Sequence, residues 1–280
     1  MALAAALYFI AAALSTPVPP HPFAPDDRVL VIAHRGGWHL GPEHTLPTYT
    51  RSVELGADVI ELDVRLCKDS VPVVVHDRTV DRTTDGSGPV RDLTLAKLKK
   101  LDAAYRWSPD DGKTFPFRGK GYTIPTLNEI FTAFPDLRMF IELKPNNPTL
   151  ATSLCHTLRD FRKTDQVIIA SFDGDITRTF RTACPEVPTA ATGTEALTFF
   201  LLNRLHLGAA FQPSAQAFQI PLHLGPLDVA TPHFTKGARN HNMAVHVWTV
   251  NKKEDMQTLI KAGINGIITS NPQTLLELLN

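Results

Sequence analysis

Short apolar runs recur along the chain, and most are followed by a stretch in which apolar residues return every three or four positions. The short runs have the length of β-strands, and the longer stretches have the spacing of amphipathic helices. Their alternation predicts βα units around a parallel sheet. We predict eight strands, at residues 29–33, 58–63, 138–143, 167–171, 187–191, 227–231, 244–250 and 266–269. This order agrees with an α/β fold of the TIM-type (β/α)8 barrel class.

The helical spacing and the gaps between strands complete the predicted outline. Between residues 78 and 125 no barrel strand is predicted, so we expect an insertion after the second strand and its hairpin, with a short helix at residues 93–101. Long loops in compact domains are usually functional, so the insertion is predicted to cap a pocket. A rigid cover without ligand contacts is the alternative. Helices are predicted at residues 45–55, 126–134, 175–183, 253–262 and 272–279.

Ionisable side chains interrupt this apolar pattern where several strands end. Burying such groups is costly unless they pair or bind a metal ion, so their clustering indicates a functional site. Side chains alternate along a strand, which places two of the carboxylates, Glu61 and Asp63, on one face. The groups concerned are His34, Glu61, Asp63, His76 and Glu142.

A hairpin is predicted to bring His76 back to the carboxylates. Residues 59–66 and 72–76 are both β-rich, and Asp69-Ser70 between them is acceptable chemistry for a tight turn. An antiparallel ladder centred on that turn pairs Asp63 with His76.

Three converging carboxylates predict a cation site. Glu61, Asp63 and Glu142 offer only oxygen ligands, which favours one hard divalent cation, Mg²⁺ or Ca²⁺, over Zn²⁺. The alternative is structural: the acidic groups pair with Arg35, Arg65 or Lys144, and His76 is a hydrogen-bonded histidine. Occurrence of all these groups at strand ends favours the functional site.

The ordered motifs carry a specific resemblance from about residue 29 to the C-terminus. Together they resemble the glycerophosphodiester phosphodiesterase family, although each alone is weak. One motif departs from the family pattern, because the usual Pro-Glu-Asn-Thr is Pro-Glu-His-Thr here, with His44 in place of Asn. The motifs are His34-Arg35-Gly36, Pro42-Glu43-His44-Thr45, Glu61-Leu62-Asp63, His76-Asp77, Glu142-Leu143-Lys144, Ser171-Phe172, Trp248-Thr249-Val250-Asn251 and Gly266-Ile267-Ile268-Thr269.

The resemblance implies a role for each group. It implies a TIM-type barrel with His34 and His76 as general acid and base, and a single cation held by Glu61, Asp63 and Glu142. In that family a glycerol hydroxyl next to the phosphate is thought to attack it and expel the alcohol, after which water opens the cyclic intermediate. Two imidazoles beside a metal ion are coherent chemistry for this reaction. The phosphate contacts implied are Arg35 and Lys144.

Aromatic residues suggest how the rest of the substrate is held. Trp248 is a candidate for stacking on a glycerol or head group, with core or rim packing as the alternative, and Phe172 and Gln212 are further candidates of the same kind. The irregular region 205–226 is predicted to offer either an apolar rim for acyl chains or ordinary loop packing. The substrate is therefore a small glycerophosphodiester or, as the runner-up, a lysophospholipid cleaved by lysophospholipase D action. A non-catalytic binding protein is a third hypothesis.

Composition limits the partners. The chain has 28 basic and 28 acidic residues, so a nucleic-acid partner, which would require a basic excess, is not expected. With 280 residues and 43% hydrophobic content, one barrel domain at residues 26–280 is predicted.

The N-terminal segment, residues 1–25, is uncharged and Ala/Leu-rich before it becomes Pro-rich. The apolar run is too short to span a bilayer and resembles a signal-peptide core or an interfacial anchor, although no basic residue precedes it. A helix lying against the barrel is the alternative. Export or membrane association is thus slightly favoured over a cytoplasmic location.

Cysteines are few. Cys67, Cys155 and Cys184 have unrelated spacings, so neither a disulfide framework nor a zinc cluster is predicted, and all are interpreted as isolated thiols.

Overall fold

A computed structural model describes residues 2–24, 28–144 and 148–280. The strands are β1 (Leu30–Ala33), β2 (Val59–Leu66), β3 (Pro72–Val74), β4 (Arg138–Leu143), β5 (Val167–Ala170), β6 (Ala217–Pro221), β7 (His223–Leu224), β8 (Leu227–Asp228), β9 (Ala244–Trp248) and β10 (Gly266–Thr269). The helices are α1 (Ala2–Leu14), α2 (Leu46–Leu55), α3 (Leu95–Leu98), α4 (Leu127–Ala133), α5 (Pro148–Asp160), α6 (Gly174–Ala183), α7 (Gly193–Arg204), α8 (Pro232–Arg239), α9 (Lys253–Lys261) and α10 (Pro272–Leu279). Short 3₁₀ turns lie at His34–Gly36, Val90–Asp92 and Gly208–Ala210.

Seven parallel strands form the curved sheet of a TIM-type α/β fold. Their order is β5-β4-β2-β1-β10-β9-β6, and β3 pairs antiparallel with the outer part of β2. The two ends of this sheet meet through one short segment, in which Thr189 bridges Ile169 of β5 and Ala190 bridges Ala217 of β6. The predicted barrel class is therefore confirmed, with its fifth strand reduced to these two bridges.

Alternation along the strands separates two apolar layers. Residues such as Val31 and Ile60 face outward and join the large core beneath the helices. Leu30, Ile32 and Phe140 face inward and fill the lower interior, where they contact Phe23 from the N-terminal segment. Apolar side chains close the bottom of the barrel, so a ligand must enter from the end where the strands finish.

The N-terminal segment packs on the underside of the barrel. Phe23 is fully buried, and its carbonyl oxygen lies 2.9 Å from Nε2 of His246. Upstream, α1 lies beside the Gly208–Ala210 turn, with Gln212 donating to the carbonyl of Ala11 at 3.0 Å. In this structure α1 therefore lies against the barrel, and a role of the segment as a signal or anchor stays a prediction. Within the described residues, no helix has both the length and the apolar character needed to cross a membrane.

The hairpin prediction was wrong in register by one residue. The ladder pairs Val64 with Val74, so it is centred on Asp69 rather than between Asp69 and Ser70. The reason is a three-residue turn, which Ser70 completes in the left-handed region at φ 59°. Asp63 consequently faces Val75, whose N–H donates to its carbonyl at 2.9 Å, and His76 lies one residue beyond.

The sixth predicted strand was also wrong. Residues 227–228 form only β8 of a two-stranded hairpin, and the barrel strand is β6, ten residues earlier. Its sequence ends in Pro221 within a region rich in proline, which hid it, although a proline is tolerated where a strand ends. Helices α5, α7 and α8 were not predicted; α7 was missed because it is apolar on both faces, with Phe199 buried and Leu201 exposed.

The cysteine prediction was wrong for two residues. Cys155 of α5 and Cys184, directly after α6, form a disulfide with their Cα atoms 5.6 Å apart. Their separation of 29 residues follows no short motif, so only the packing of the two helices shows the pairing. Cys67 is a buried free thiol, as predicted.

The insertion is a compact cover. It contains the short helix α3 inside the predicted 93–101, and a stack of Trp107, Phe117 and Tyr122. The guanidinium of Arg51 on α2 lies 4.6 Å from the ring centre of Phe117, which fixes the insertion to the barrel wall. Within the described chain no residue of 78–125 lines the cavity described below, so the prediction of a pocket cap gives way to its alternative, a rigid cover.

Candidate active site

The turn after β1 places two predicted site residues. His34 begins the turn, Arg35 follows at φ 51°, and Gly36 and Gly37 have φ of 83° and 78°. A side chain at Gly36 would approach the ring of Tyr49 to 2.9 Å, so glycine is required there. In this conformation the N–H of Arg35 donates to Oε2 of Glu61 at 2.7 Å. His34 Nδ1 lies 3.2 Å from the Ser270 hydroxyl.

The three predicted carboxylates come together on adjacent strands. Glu61 and Asp63 point inward from β2, and Glu142 of β4 is the register partner of Asp63. One oxygen of each lies within 4.8 Å of the others, which is a spacing that a single metal ion can bridge. All donors are carboxylate oxygens, so this cluster fits a hard divalent cation.

Burial opposes ionisation of the three carboxyl groups in this cluster. Burial and the charge of Asp63 raise the pKa of Glu61 well above its ordinary value, and the same two causes raise that of Glu142. Burial also opposes ionisation of Asp63, but the hydrogen bond from His44 and the charges of His44 and Lys144 hold the pKa of Asp63 below its usual range. A cation among the three oxygens would favour ionisation of all of them.

Basic side chains surround the carboxylates. Lys144 Nζ lies 2.7 Å from Oδ1 of Asp63 and 2.5 Å from Oε1 of Glu142. Arg35 Nε is buried 3.7 Å from Oδ2 of Asp63 and has no hydrogen-bond partner among the residues that the structure describes. These ion pairs are those of the structural alternative, apart from Arg65, which instead donates twice to the carbonyl of His76. A phosphate next to the carboxylate cluster would also contact the basic side chains of both Arg35 and Lys144.

His76 is held by its neighbours on both sides. Its carbonyl is fixed by Arg65, and its Nδ1 lies 2.6 Å from Oδ1 of Asp77. Burial lowers the pKa of His76, while the charge of Asp63 and the hydrogen bond to Asp77 oppose the shift. Burial and the charge of Arg35 lower the pKa of His34 to about 3. The two imidazoles therefore differ in their readiness to carry a proton.

His44 is a site residue that sequence reasoning missed. It is buried, with Nε2 2.8 Å from Oδ2 of Asp63 and Nδ1 2.8 Å from the Tyr49 hydroxyl. The only signal in the sequence was its departure from the family motif.

One cavity of about 560 Å³ joins these groups. On one side the cavity is lined by the two histidines, the three carboxylates and the basic side chains of Arg35 and Lys144, and on the other by apolar side chains. Phe172 and Trp248 meet edge to face with ring centres 5.8 Å apart, as expected for a rim above the strands. Gln212 does not line the cavity, because it binds α1. The apolar lining includes Phe172, Ala190, Ala191, Leu197, Phe200, Ile220, Leu224, Val229 and Trp248.

Comparison with known proteins identifies the family. The glycerophosphoryl diester phosphodiesterase family model matches residues 34–274. The chain belongs to this family. A glycerophosphodiester phosphodiesterase of Caldanaerobacter subterraneus subsp. tengcongensis is 36% identical over 256 residues, covering 90% of this chain and 98% of the relative. A second relative of that name, from Bacillus subtilis, is 31% identical and covered to 85% of its length, with 88% of this chain covered.

Solved structures of the family share the fold. The glycerophosphoryl diester phosphodiesterase domain of a Mycobacterium tuberculosis protein superposes with a TM-score of 0.81 at 22% identity, covering 91% of this chain and all of that one. An Oleispira antarctica phosphodiesterase, solved with the product sn-glycerol-3-phosphate, gives 0.69 at 24% identity, covering 91% of this chain and 96% of its own. The predictions of this family, of a phosphoric diester hydrolase and of a TIM-type fold are thus confirmed.

Proposed function

We propose that this chain hydrolyses glycerophosphodiesters to glycerol 3-phosphate and an alcohol, with the help of one divalent cation. The observation that carries the proposal is the meeting of His34, His76 and the carboxylate cluster in one cavity. The product bound to the Oleispira antarctica phosphodiesterase, a member of the same fold class, is consistent with it. Residues of all these types are needed to neutralise a phosphodiester and move its protons.

In this proposal Glu61, Asp63 and Glu142 hold the cation, Mg²⁺ or Ca²⁺. Bound there, the ion would supply positive charge to the phosphoryl oxygens. Arg35 and Lys144 add to this charge, because both lie at the edge of the carboxylate cluster. Phe172 and Trp248 hold the remainder of the substrate by apolar contact at the rim.

The histidines divide the proton transfers. In this proposal His34 starts neutral, because burial and the charge of Arg35 lower its pKa, and it accepts the proton of the glycerol hydroxyl that attacks phosphorus. In the same proposal His76 is the acid: Asp77 on Nδ1 orients its ring and opposes the lowering of its pKa by burial, and His76 protonates the departing alcohol oxygen. Water then opens the cyclic phosphate with the two roles exchanged, which restores both histidines.

Turnover of glycerophosphocholine by the purified chain tests the proposal. We expect glycerol 3-phosphate release that EDTA abolishes and Mg²⁺ or Ca²⁺ restores. His34→Ala and His76→Ala should each lose about 10²–10⁴-fold in kcat with cation binding intact, whereas Glu61→Ala or Asp63→Ala should weaken cation binding.

A matched control for His76 exists on the surface. His223 lies 2.7 Å from Asp228 in the β7–β8 hairpin, which repeats the His–Asp contact away from the catalytic groups. His223→Ala should keep full activity. Normal turnover in His34→Ala or His76→Ala would overturn the catalytic assignment, and the absence of turnover in the unmodified chain would favour the binding-protein hypothesis.

The apolar half of the cavity supports a second candidate, lysophospholipase D activity in the same site. Leu197, Phe200 and Leu224 form a wall that a small polar alcohol does not need but an acyl chain could contact. Choline release from lysophosphatidylcholine should then exceed release from glycerophosphocholine, and Leu197→Ser should reduce only the former. Equal loss on both substrates would contradict this candidate.

For location we propose export or membrane association. The Cys155–Cys184 disulfide supports an oxidising compartment, and Phe9 and Leu14 of α1 are each about two-thirds exposed, at 68% and 70%. Fractionation of cells that produce the whole chain tests this: recovery in the soluble cytoplasmic fraction with both thiols free would contradict it.

A further inference from the structure

The further inference concerns His44, the residue that stands where the family motif has Asn. Its backbone adopts a left-handed conformation at φ 57°, and its N–H donates to the Arg35 carbonyl at 3.0 Å. This conformation is uncommon for residues other than glycine, although histidine and asparagine adopt it more often than most, and it aims the ring inward. Only 3% of His44 is exposed, so its polar atoms must find partners inside the protein.

The partners of the ring determine the direction of each hydrogen bond. A carboxylate that serves as a cation ligand only accepts hydrogen bonds, so Nε2 of His44 is the donor to Oδ2 of Asp63 at 2.8 Å. Tyr49 is fully buried, and burial together with the nearby carboxylates raises the pKa of its hydroxyl, which therefore stays protonated. That hydroxyl lies 2.8 Å from Nδ1 of His44, to which it can donate, and 3.4 Å from the carbonyl oxygen of Glu61. Hydrogen bonds thus link Tyr49 to His44 and His44 to Asp63.

These hydrogen bonds hold one oxygen of Asp63, a predicted cation ligand. Oδ2 of Asp63 is engaged by His44, whereas Oδ1 lies on the side of Lys144 and Glu142. A carboxylate held at both oxygens cannot rotate about its last bond without breaking one of these contacts. Groups that orient metal ligands in this way commonly change metal affinity by about 10–100-fold when they are removed.

We propose that His44 is a positioning residue, which orients the Asp63 carboxylate for a divalent cation while Tyr49 fixes the imidazole. The inference rests on the proposed function only in taking Asp63 as a cation ligand. For this role the side chain at position 44 must donate a hydrogen bond to Asp63 and accept one from the Tyr49 hydroxyl. An imidazole provides both groups in one side chain.

Binding of the cation alone, without substrate, tests this role. Titration calorimetry with Mg²⁺ and with Ca²⁺ should show a dissociation constant at least tenfold higher for His44→Ala than for the unmodified chain. His44→Gln should recover affinity to within about threefold, because the glutamine amide can reach the position of Nε2 and donate to Asp63. Tyr49→Phe should fall between these two, because the imidazole loses the bond that fixes it.

A matched control separates this effect from lost stability. His241 is also buried, with Nε2 2.9 Å from the carbonyl of Gly208 beneath the barrel. His241→Ala should lower the melting temperature as His44→Ala does and leave the cation dissociation constant unchanged.

The outcomes are distinct. Unaltered cation affinity in folded His44→Ala overturns the inference, as does a His44→Gln variant that binds no better than His44→Ala. If His44→Ala does not fold, Tyr49→Phe decides, and unchanged affinity there overturns the inference. Failure of the unmodified chain to bind either cation overturns the proposed metal site, and the role of His44 with it.

Discussion

At the residue scale, one arginine connects the catalytic turn to the insertion. Arg82 donates to both oxygens of Glu43 at 2.8 and 2.7 Å, and its Nε donates to Asp77 at 2.6 Å. Glu43 in turn accepts from Arg35, and Asp77 holds the ring of His76. Glu43 and Asp77 therefore connect Arg35, a predicted phosphate contact, and His76, a predicted proton-transfer residue, to the guanidinium of Arg82. This guanidinium binds Glu43 in bidentate geometry.

This contact predicts a pH-dependent contribution to stability. Burial alone would raise the pKa of Glu43, but hydrogen bonds from Arg82 and the charges of His44 and Arg35 lower it from 4.5 to about 2. A lowered pKa stabilises the folded state above pH 4.5, and this stabilisation disappears as the pH falls from 4.5 towards 2. We expect Glu43→Gln to cost about 2 kcal/mol at pH 7, after allowance for the half-exposed Arg82.

Urea denaturation of both proteins between pH 7 and pH 2 measures this contribution. The difference in unfolding free energy between them should shrink below pH 4.5. A difference that stays constant down to pH 2 would show that Glu43 has an ordinary pKa.

Individual site residues were predictable to the extent that their polarity contradicted their surroundings. Glu61, Asp63 and Glu142 stood out because carboxylates in apolar strands need a partner, and the structure brings them together. His44 did not, since it precedes a helix, where polar residues are ordinary. Its function depends on contacts with Tyr49 and Asp63 that only the folded turn creates.

At the element scale, helices and strands with a clear period were predicted well, and irregular ones were not. The bounds of α10 match the prediction, and α2 begins one residue later than predicted. The hairpin between β2 and β3 differed by one residue because turn length, not strand composition, sets its register. The disulfide could not be predicted, because it depends on how α5 and α6 pack.

The disulfide should contribute measurably to stability. It closes a segment with a separation of 29 residues, for which the loss of chain entropy in the unfolded state corresponds to about 3–4 kcal/mol. The double variant Cys155→Ala/Cys184→Ala should therefore lose about this much unfolding free energy in guanidinium denaturation. Cys67→Ala, which also removes a buried sulfur, is the control. A double variant no less stable than this control would rule out a stabilising bond.

At the scale of the whole molecule, the barrel has one open end and one closed end. Phe23 packs against inward residues of several strands and contacts Phe140 at 5.6 Å between ring centres. The family match begins at residue 34, so this segment lies outside it. Sequence periodicity could not reveal the contact, because a single phenylalanine in a Pro-rich stretch has no pattern.

Removal of the Phe23 ring should destabilise the whole barrel. Phe23→Ala is expected to cost about 3–5 kcal/mol, the usual range for a fully buried phenylalanine. Deletion of residues 2–14 keeps Phe23 and removes only α1, whose Leu7, Phe9 and Leu14 are exposed, so it should cost much less. Thermal unfolding of both variants makes the comparison. Equal losses would mean that α1, not Phe23, anchors the segment.

The short closure at Thr189 and Ala190 makes the two halves of the cavity unequal in stiffness. The carboxylates stand on β2 and β4, which are paired over six residues, while Ala190 and Ala191 of the apolar wall belong to a seam held by single bridges. Backbone hydrogen bonds join the seam to each neighbour, from Ala190 to Ile169 and from Ala191 to Ala217, but its ladders are short, so we expect it to open before the β2–β4 ladder does. The cation ligands thus stand on the longer ladder, and we expect any tolerance for substrates with apolar parts of different size to come from the seam.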